Sequence, residues 1–176
     1  VAVTPMGSDI FRVSRIPAGE RTFSYPPSQS SVLESSTESV SWSADPAAVT
    51  FITPSTTLRV DRVTGRVTFL DAAGDTLLNE AEGVVNQEGA RRISFANGRA
   101  QNFYGAGERA HRLRLNGDTL VMFNRQNYGY GAGDPRISQM GITMPWFASD
   151  NGYGVLVDDY ARARLFLGAD SIVYTS

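Results

Sequence analysis

The sequence predicts an all-β fold, an antiparallel β-sandwich or jelly roll in a single domain, and three observations predict it. Apolar and polar residues alternate with period two in run after run. Turn signals rich in Gly, Asn and Asp separate these runs at short intervals. No window of a dozen residues free of Gly and Pro carries an apolar stripe at i, i+3, i+4 and i+7, so helical periodicity is almost absent. Roughly ten or more short strands with polar turns is the pattern of sandwiches and jelly rolls.

Taken in order, residues 24–48 open loosely, being Ser/Thr-rich around the adjacent Pro26 and Pro27, and read as an exposed connection or edge region. Val40, Trp42 and Ala44 then alternate with Ser39, Ser41 and Ser43. Leu58 and Val60 alternate with Arg59 and Asp61, and Val67 and Phe69 with Arg66 and Thr68, with Thr64-Gly65 as the turn between them. Ala73-Gly74-Asp75 follows Phe69-Leu70. Ile93 and Phe95 flank Ser94 before the turn Asn97-Gly98, and Leu113 and Leu115 flank Arg114 before Asn116-Gly117-Asp118. Each of these alternations predicts a strand with one apolar face. Asp150-Asn151-Gly152 separates residues 142–148 from 153–157, a hairpin signal because Asn-Gly accepts the positive φ of such turns. Residues 161–167 have helical propensities but an Ala/Arg alternation, and their neighbours assign them to a strand. Residues 172–175 still read as a strand, which leads to the expectation that the polypeptide continues.

Composition narrows the function. The 176 residues hold 16 basic groups, all Arg, against 18 acidic ones, a net charge of −2. That charge is too balanced for a nucleic-acid or anionic-membrane surface, and the scattered, Lys-free Arg usage reads as a codon bias. No apolar run approaches the roughly 20 residues that span a bilayer. A basic start followed by an apolar stretch is lacking, so no signal peptide is read in this chain and any export signal is expected to have been removed or never to have existed. With no Cys, disulfides, thiolate metal sites and cysteine nucleophiles are excluded. The single histidine, His111, argues against a His-based metal site or a Ser-His-Asp triad and reads as a surface or hydrogen-bonded residue.

Other candidate chemistry is sparse. Gly105-Ala106-Gly107 superficially matches a dinucleotide-binding fingerprint, but no crossover helix follows, and the glycines read better as a tight strand-to-strand corner. Glu108 and Arg109 after it could form an internal ion pair. Asp158-Asp159 could supply an acid or a calcium ligand. Adjacent strand residues point to opposite faces, however, which favours a solvated strand end. The informative stretch is residues 123–136, glycine-rich and mixing Asn124, Arg125, Gln126 and Asn127 with Tyr128 and Tyr130. Amide and guanidinium donors match sugar hydroxyls, and aromatic rings pack on sugar C–H faces. The alternative is an ordinary surface loop whose tyrosines cover a sheet edge.

Three segments carry a resemblance to a known family. Asn102-Phe103-Tyr104-Gly105-Ala106-Gly107-Glu108-Arg109 resembles the F-Y-G-x-G-E corner in the amino-terminal β-sandwich of glycoside hydrolase family 31. Leu115-Asn116-Gly117-Asp118, then residues 122–130, is similar to the family's turn leading to W/Y-N-x-D and a tyrosine. Residues 142–149, then Gly152-Tyr153-Gly154-Val155-Leu156-Val157-Asp158, resemble its P-F-F-x-S…G-Y-G-hydrophobic-D hairpin. The matches occur in order over residues 102–159, about a third of the chain.

The resemblance implies an antiparallel β-sandwich of the galactose-mutarotase-like type, placed before a catalytic (β/α)8 barrel expected after residue 176 and absent from this chain. Family members are retaining α-glycosidases whose barrel carries two catalytic aspartates, so no catalytic residue is expected here. It implies an accessory domain of an α-glucosidase-like enzyme, the parent alternatively being an α-xylosidase or a 4-α-glucosyltransferase. The implied partners are the barrel and an α-linked oligosaccharide, with no nucleic acid, membrane, cofactor or metal, in a periplasmic or secreted bacterial protein. Carried over by position, Arg125, Gln126, Asn127, Tyr128 and Tyr130 form a substrate-binding loop at the sugar-site entrance, with Gln126 replacing the family's usual Asp. Rival readings are a free-standing carbohydrate-binding sandwich and an unrelated extracellular jelly roll.

Overall fold

The structure, a computed structural model, describes residues 1–16, 19, 28, 40–87, 89–96, 101–109, 112–124 and 142–176. All secondary structure among the described residues is β, paired antiparallel, as the absence of helical periodicity predicts. The chain forms two compact units, residues 1–79 and 80–176, with one long strand running through the boundary.

The first unit holds the hairpin β1 (Ala2–Pro5) and β2 (Phe11–Ser14) and a sheet of β3 (Ser41–Ala44), β4 (Ala48–Ile52), β5 (Thr56–Asp61), β6 (Val67–Asp71) and the start of β7 (Thr76–Gln87), in that order. Register turns local alternation into two faces. Trp42, Phe51, Leu58, Phe69 and Leu78 stand opposite one another in a row across five strands, and Ser43, Thr50, Arg59, Thr68 and Asn79 form the parallel row on the other face. The apolar row is covered by Phe11, whose ring lies 6.4 Å from those of Phe51 and Phe69. Leu58, mid-row, is fully buried. The polar row is tied by Thr68 Oγ1 donating to Asn79 Oδ1 at 2.9 Å. Trp42 departs from the burial its alternation suggests, at 69% exposed, because β3 is the outermost strand of the sheet. The β5–β6 turn forms as expected: Asp61 Oδ1 accepts from the amide and hydroxyl of Thr64 at 2.7 and 2.8 Å, and Gly65 takes the positive φ.

The second unit is a two-sheet sandwich. One sheet runs in the order β10 (Thr119–Met122), β13 (Ala163–Leu167), β14 (Ser171–Thr175), β8 (Ala90–Ala96) and on to β7. The other runs β12 (Tyr153–Leu156), β11 (Thr143–Ser149), β9 (Phe103–Gly107). Leu165, Leu167 and Ile172 from the first and Phe103 and Phe147 from the second are its largest fully buried side chains, the two rings meeting edge to face at 5.8 Å. Each such burial stabilises by roughly 1.5–3 kcal/mol. Residues 163–167 are indeed a strand, and the hairpin at Asp150-Asn151-Gly152 forms with Gly152 at positive φ.

Two expected strand patterns are corrected. Leu113 and Leu115 do not share a strand face: Leu113 is 81% exposed and Leu115 buried, within a loop. Arg112 pulls that segment into a turn by donating to Asn116 O and to both oxygens of Asp118, while Leu115 N bonds Phe103 O. On β8 Ser94 is buried while Ile93 and Phe95 are only half-buried, so the face that carries Ser94 is the more enclosed one. The turn Asn97-Gly98 and most of residues 24–39 lie outside the described residues.

Candidate functional site

The glycine corner is a strand end in which three successive residues take positive φ, Gly105 (109°), Ala106 (62°) and Gly107 (91°). Space explains the glycines. A Cβ on Gly107 would lie 2.4 Å from Ile142 O, and one on Gly105 would lie 2.8 Å from the Trp146 ring. Ala106 adopts a conformation that costs an L-residue roughly 1–2 kcal/mol. It is fully buried, and its carbonyl accepts from Arg109 Nε at 2.9 Å. Arg109 reaches on to Val121 O at 3.0 Å, so it ties this corner to β10. Burial pushes the pKa of its guanidinium down. The ion pair expected between Glu108 and Arg109 gives way to these carbonyl contacts, while Glu108 is exposed and its amide bonds Ile142 O at 2.9 Å.

The same corner gathers both ends of the segment 125–141. Asn124 Oδ1 accepts from the amide and hydroxyl of Thr143, the latter at 2.8 Å. Phe123, just before the segment, lies under the guanidinium of Arg162 at 5.4 Å. The candidate site residues Arg125, Gln126, Asn127, Tyr128 and Tyr130 themselves lie outside the described residues, as does His111. Sequence reasoning missed the Asn124–Thr143 clasp. Both residues stand in the matched segments, but nothing local joins positions so far apart.

A second polar cluster staples the β11–β12 hairpin to the start of β9. Ser149 Oγ donates to Gln101 Oε1. Asn116 Nδ2 donates to Gln101 O at 2.6 Å, and Phe103 N to Asn116 Oδ1 at 3.1 Å. Asp150 accepts from Asn102 N and Asn102 Nδ2 at 2.8 and 2.6 Å, and these bonds, the backbone one first, hold its carboxyl below the ordinary range. Burial raises the phenol of Tyr153 nearby. An open depression of about 300 Å³ lies beside Gln101, Asn102, Asn116 and Ala169, and one of about 330 Å³ beside Val121, Arg164 and Thr175.

Asp158 and Asp159 behave differently from each other. Exposed Asp158 accepts from Tyr160 Oη at 2.9 Å, as a solvated strand end should allow. Asp159 is drawn in: burial pushes its pKa up, but hydrogen bonds from Ser176 and Ala161 N and the charge of Arg91 outweigh that and hold it low. Among the described residues no three His, Cys, Asp or Glu side chains are grouped to hold a metal. In this arrangement the carboxylates serve as acceptors that hold turns and strand ends.

Fold and corner together define the class, an antiparallel β-sandwich domain of the galactose-mutarotase-like type. The family model described as the glycosyl hydrolase 31 N-terminal galactose mutarotase-like domain matches residues 1–165, and the chain belongs to that family. No curated protein matches the sequence. Among solved structures it is similar to a GH31 dextranase from Flavobacterium johnsoniae, in complex with isomaltotriose, with a TM-score of 0.68 and 22% identity, covering 78% of this chain and 17% of that one. It is similar to an uncharacterized protein from Listeria monocytogenes at a TM-score of 0.79 and 17% identity, covering 98% and 16%. A GH31 alpha-xylosidase from Xanthomonas citri is similar at 0.52 and 24%, covering 72% and 13%. At these identities the likeness is one of fold, and the chain spans only 13–17% of the length of these neighbours.

Proposed function

We propose that this chain is the amino-terminal accessory domain of a retaining α-glycosidase, exported to the periplasm or medium, that packs on a catalytic (β/α)8 barrel and lends residues 125–141 to the entrance of the sugar site. The observation that carries the reading is the clasped loop base: Asn124, Thr143 and Arg109 join the ends of that segment to a rigid corner. Segments whose ends are anchored on a β scaffold are where binding residues commonly lie. Arg125, Gln126 and Asn127 supply donors and acceptors for sugar hydroxyls, and Tyr128 and Tyr130 supply stacking faces. The bond-breaking belongs to two barrel carboxylates acting through a glycosyl-enzyme, and whether water or a second sugar resolves it is set by the barrel's subsites. α-Linked gluco-oligosaccharides are the expected substrates, consistent with the isomaltotriose held by the dextranase neighbour.

The test uses the full-length protein. Tyr128→Ala with Tyr130→Ala is expected to lower kcat/KM on maltotriose or isomaltotriose about tenfold or more, a loss of about 1.4 kcal/mol in transition-state binding. An unchanged kcat/KM, or direct millimolar binding of maltotriose by a protein whose intact mass ends near 19.1 kDa, overturns the accessory-domain reading.

A further inference from the structure

The outward face of the larger sheet in the second unit carries a pair of uncompensated cations. Ala163, Leu165 and Leu167 on β13 are buried in the core, so Arg164 points outward, and Arg162, two residues before it, lies on the same side. Both arginines are exposed. Register extends this face sideways. Val121 on β10 stands opposite Arg164, Thr175 on β14 stands opposite it on the other flank, and Arg92 on β8 stands opposite Thr175. Arg162, Arg164, Val121 and Thr175 line an open depression of about 330 Å³. Arg92 is already paired, its Nη1 lying 3.0 Å from Glu82 Oε2. Neither Arg162 nor Arg164 has a carboxylate partner among the described residues, and the guanidinium of Arg162 lies 5.4 Å over the ring of Phe123 instead.

We propose that Arg162 and Arg164 form a binding site for a small oxyanion, the phosphate or carboxylate group of a low-molecular-weight ligand. Residues two apart on one strand lie about 7 Å apart, a spacing from which two long guanidinium side chains converge on one anion. Two like charges so placed repel each other, and an oxyanion between them replaces that repulsion with two charge-assisted contacts. Guanidinium forks match the oxygens of phosphate and carboxylate in bidentate geometry. The cation–π contact with Phe123 holds Arg162 at one side of the depression before a ligand arrives. The Thr175 hydroxyl supplies a further donor. Size favours a small molecule over a bare ion, because a depression of about 330 Å³ falls at the low end of ligand pockets. A polyanion fits less well, since Glu82 cancels the next cation along the row and leaves a charged spot in place of a stripe. The site needs no residue of the segment 125–141 and no further domain, so it stands or falls separately from the accessory-domain reading.

The test is phenylglyoxal modification of the intact full-length protein, which labels accessible guanidiniums, read at single arginines by peptide mapping. Exposed Arg59 is the reference for unspecific screening, and carbonyl-bonded Arg109 is the slow reference. The probes are inorganic phosphate, glucose 6-phosphate, glucuronate and neutral glucose, at constant ionic strength. Without a probe, Arg162 and Arg164 should label as fast as Arg59. Saturating phosphate, glucose 6-phosphate or glucuronate should slow both about tenfold and leave Arg59 unchanged, while glucose should have no effect. Equal protection by the free ion and the sugar ester would support a site that reads the oxyanion alone. Stronger protection by the ester would support one that also holds the sugar. Arg164→Gln, an exposed change that leaves the core face of β13 intact, should abolish the protection of Arg162, and Arg59→Gln should not. Equal slowing of Arg59, or no protection by any of the three anions, overturns the site. So does slow labelling of both arginines without a probe, which would mean that carboxylates elsewhere in the full-length protein already pair with them. Protection of Arg162 that survives in Arg164→Gln overturns it as well.

Discussion

Asn124 accepts two hydrogen bonds from Thr143, one from its amide and one at 2.8 Å from its hydroxyl, although the residues are 19 positions apart. Asn124→Ala leaves both donors of a buried threonine without this acceptor. The expected loss is about 1–3 kcal/mol in urea unfolding, with faster protease cleavage within residues 125–141. Thr143→Val removes only the hydroxyl contact and should cost less, about 0.5–1.5 kcal/mol. Equal stability of wild type and Asn124→Ala would show that the clasp does not form in solution.

Gly107 and Gly117 both take positive φ, 91° and 81°, but only at Gly107 would a Cβ meet backbone, 2.4 Å from Ile142 O. Gly117→Ala should therefore cost only the conformational penalty, about 1–2 kcal/mol. Gly107→Ala adds a backbone clash and should cost clearly more, disrupting the β9–β11 pairing. Thermal unfolding of the two variants side by side decides it, and equal midpoints would contradict the corner geometry.

Asp150 contributes a pH dependence with a definite sign. Its folded-state pKa lies below the ordinary value, so the unfolded chain takes up the proton first as pH falls. The stabilisation is present above the unfolded carboxylate pKa and is lost as pH drops through the folded one, that is, on the acid limb below pH 3.8. Asp150→Asn should flatten that limb in a plot of melting temperature against pH and leave the slope near neutrality unchanged.

In the first unit the middle and edge of one row should respond very differently. Leu58→Ala removes a fully buried side chain and should cost about 2–5 kcal/mol. Trp42→Ser, at the exposed end of the same row, should change stability by about 0.5 kcal/mol or less. Chemical denaturation of the two variants measures the contrast.

Much of this was legible along the chain because its causes are local. Alternation in residues 58–61 and 67–69 marked β5 and β6, Thr64-Gly65 and Asn151-Gly152 marked hairpin turns, and the Phe103–Arg109 and Pro145–Asp158 motifs marked the family that the family model matches. Side-chain period and turn chemistry are properties of a few neighbouring residues, so the sequence by itself determined most of the strands, several hairpins and the family's fold. Tertiary structure alone decided which alternations were buried. Leu113–Leu115 became a turn because Arg112 found Asp118, Ser94 took the more enclosed face of its strand, and Trp42 stayed exposed because β3 is the outermost strand among the described residues. The clasp between Asn124 and Thr143 and the glycine slot around Trp146 are of the same kind. Each depends on residues distant in the chain meeting across a sheet, and no local pattern encodes that meeting.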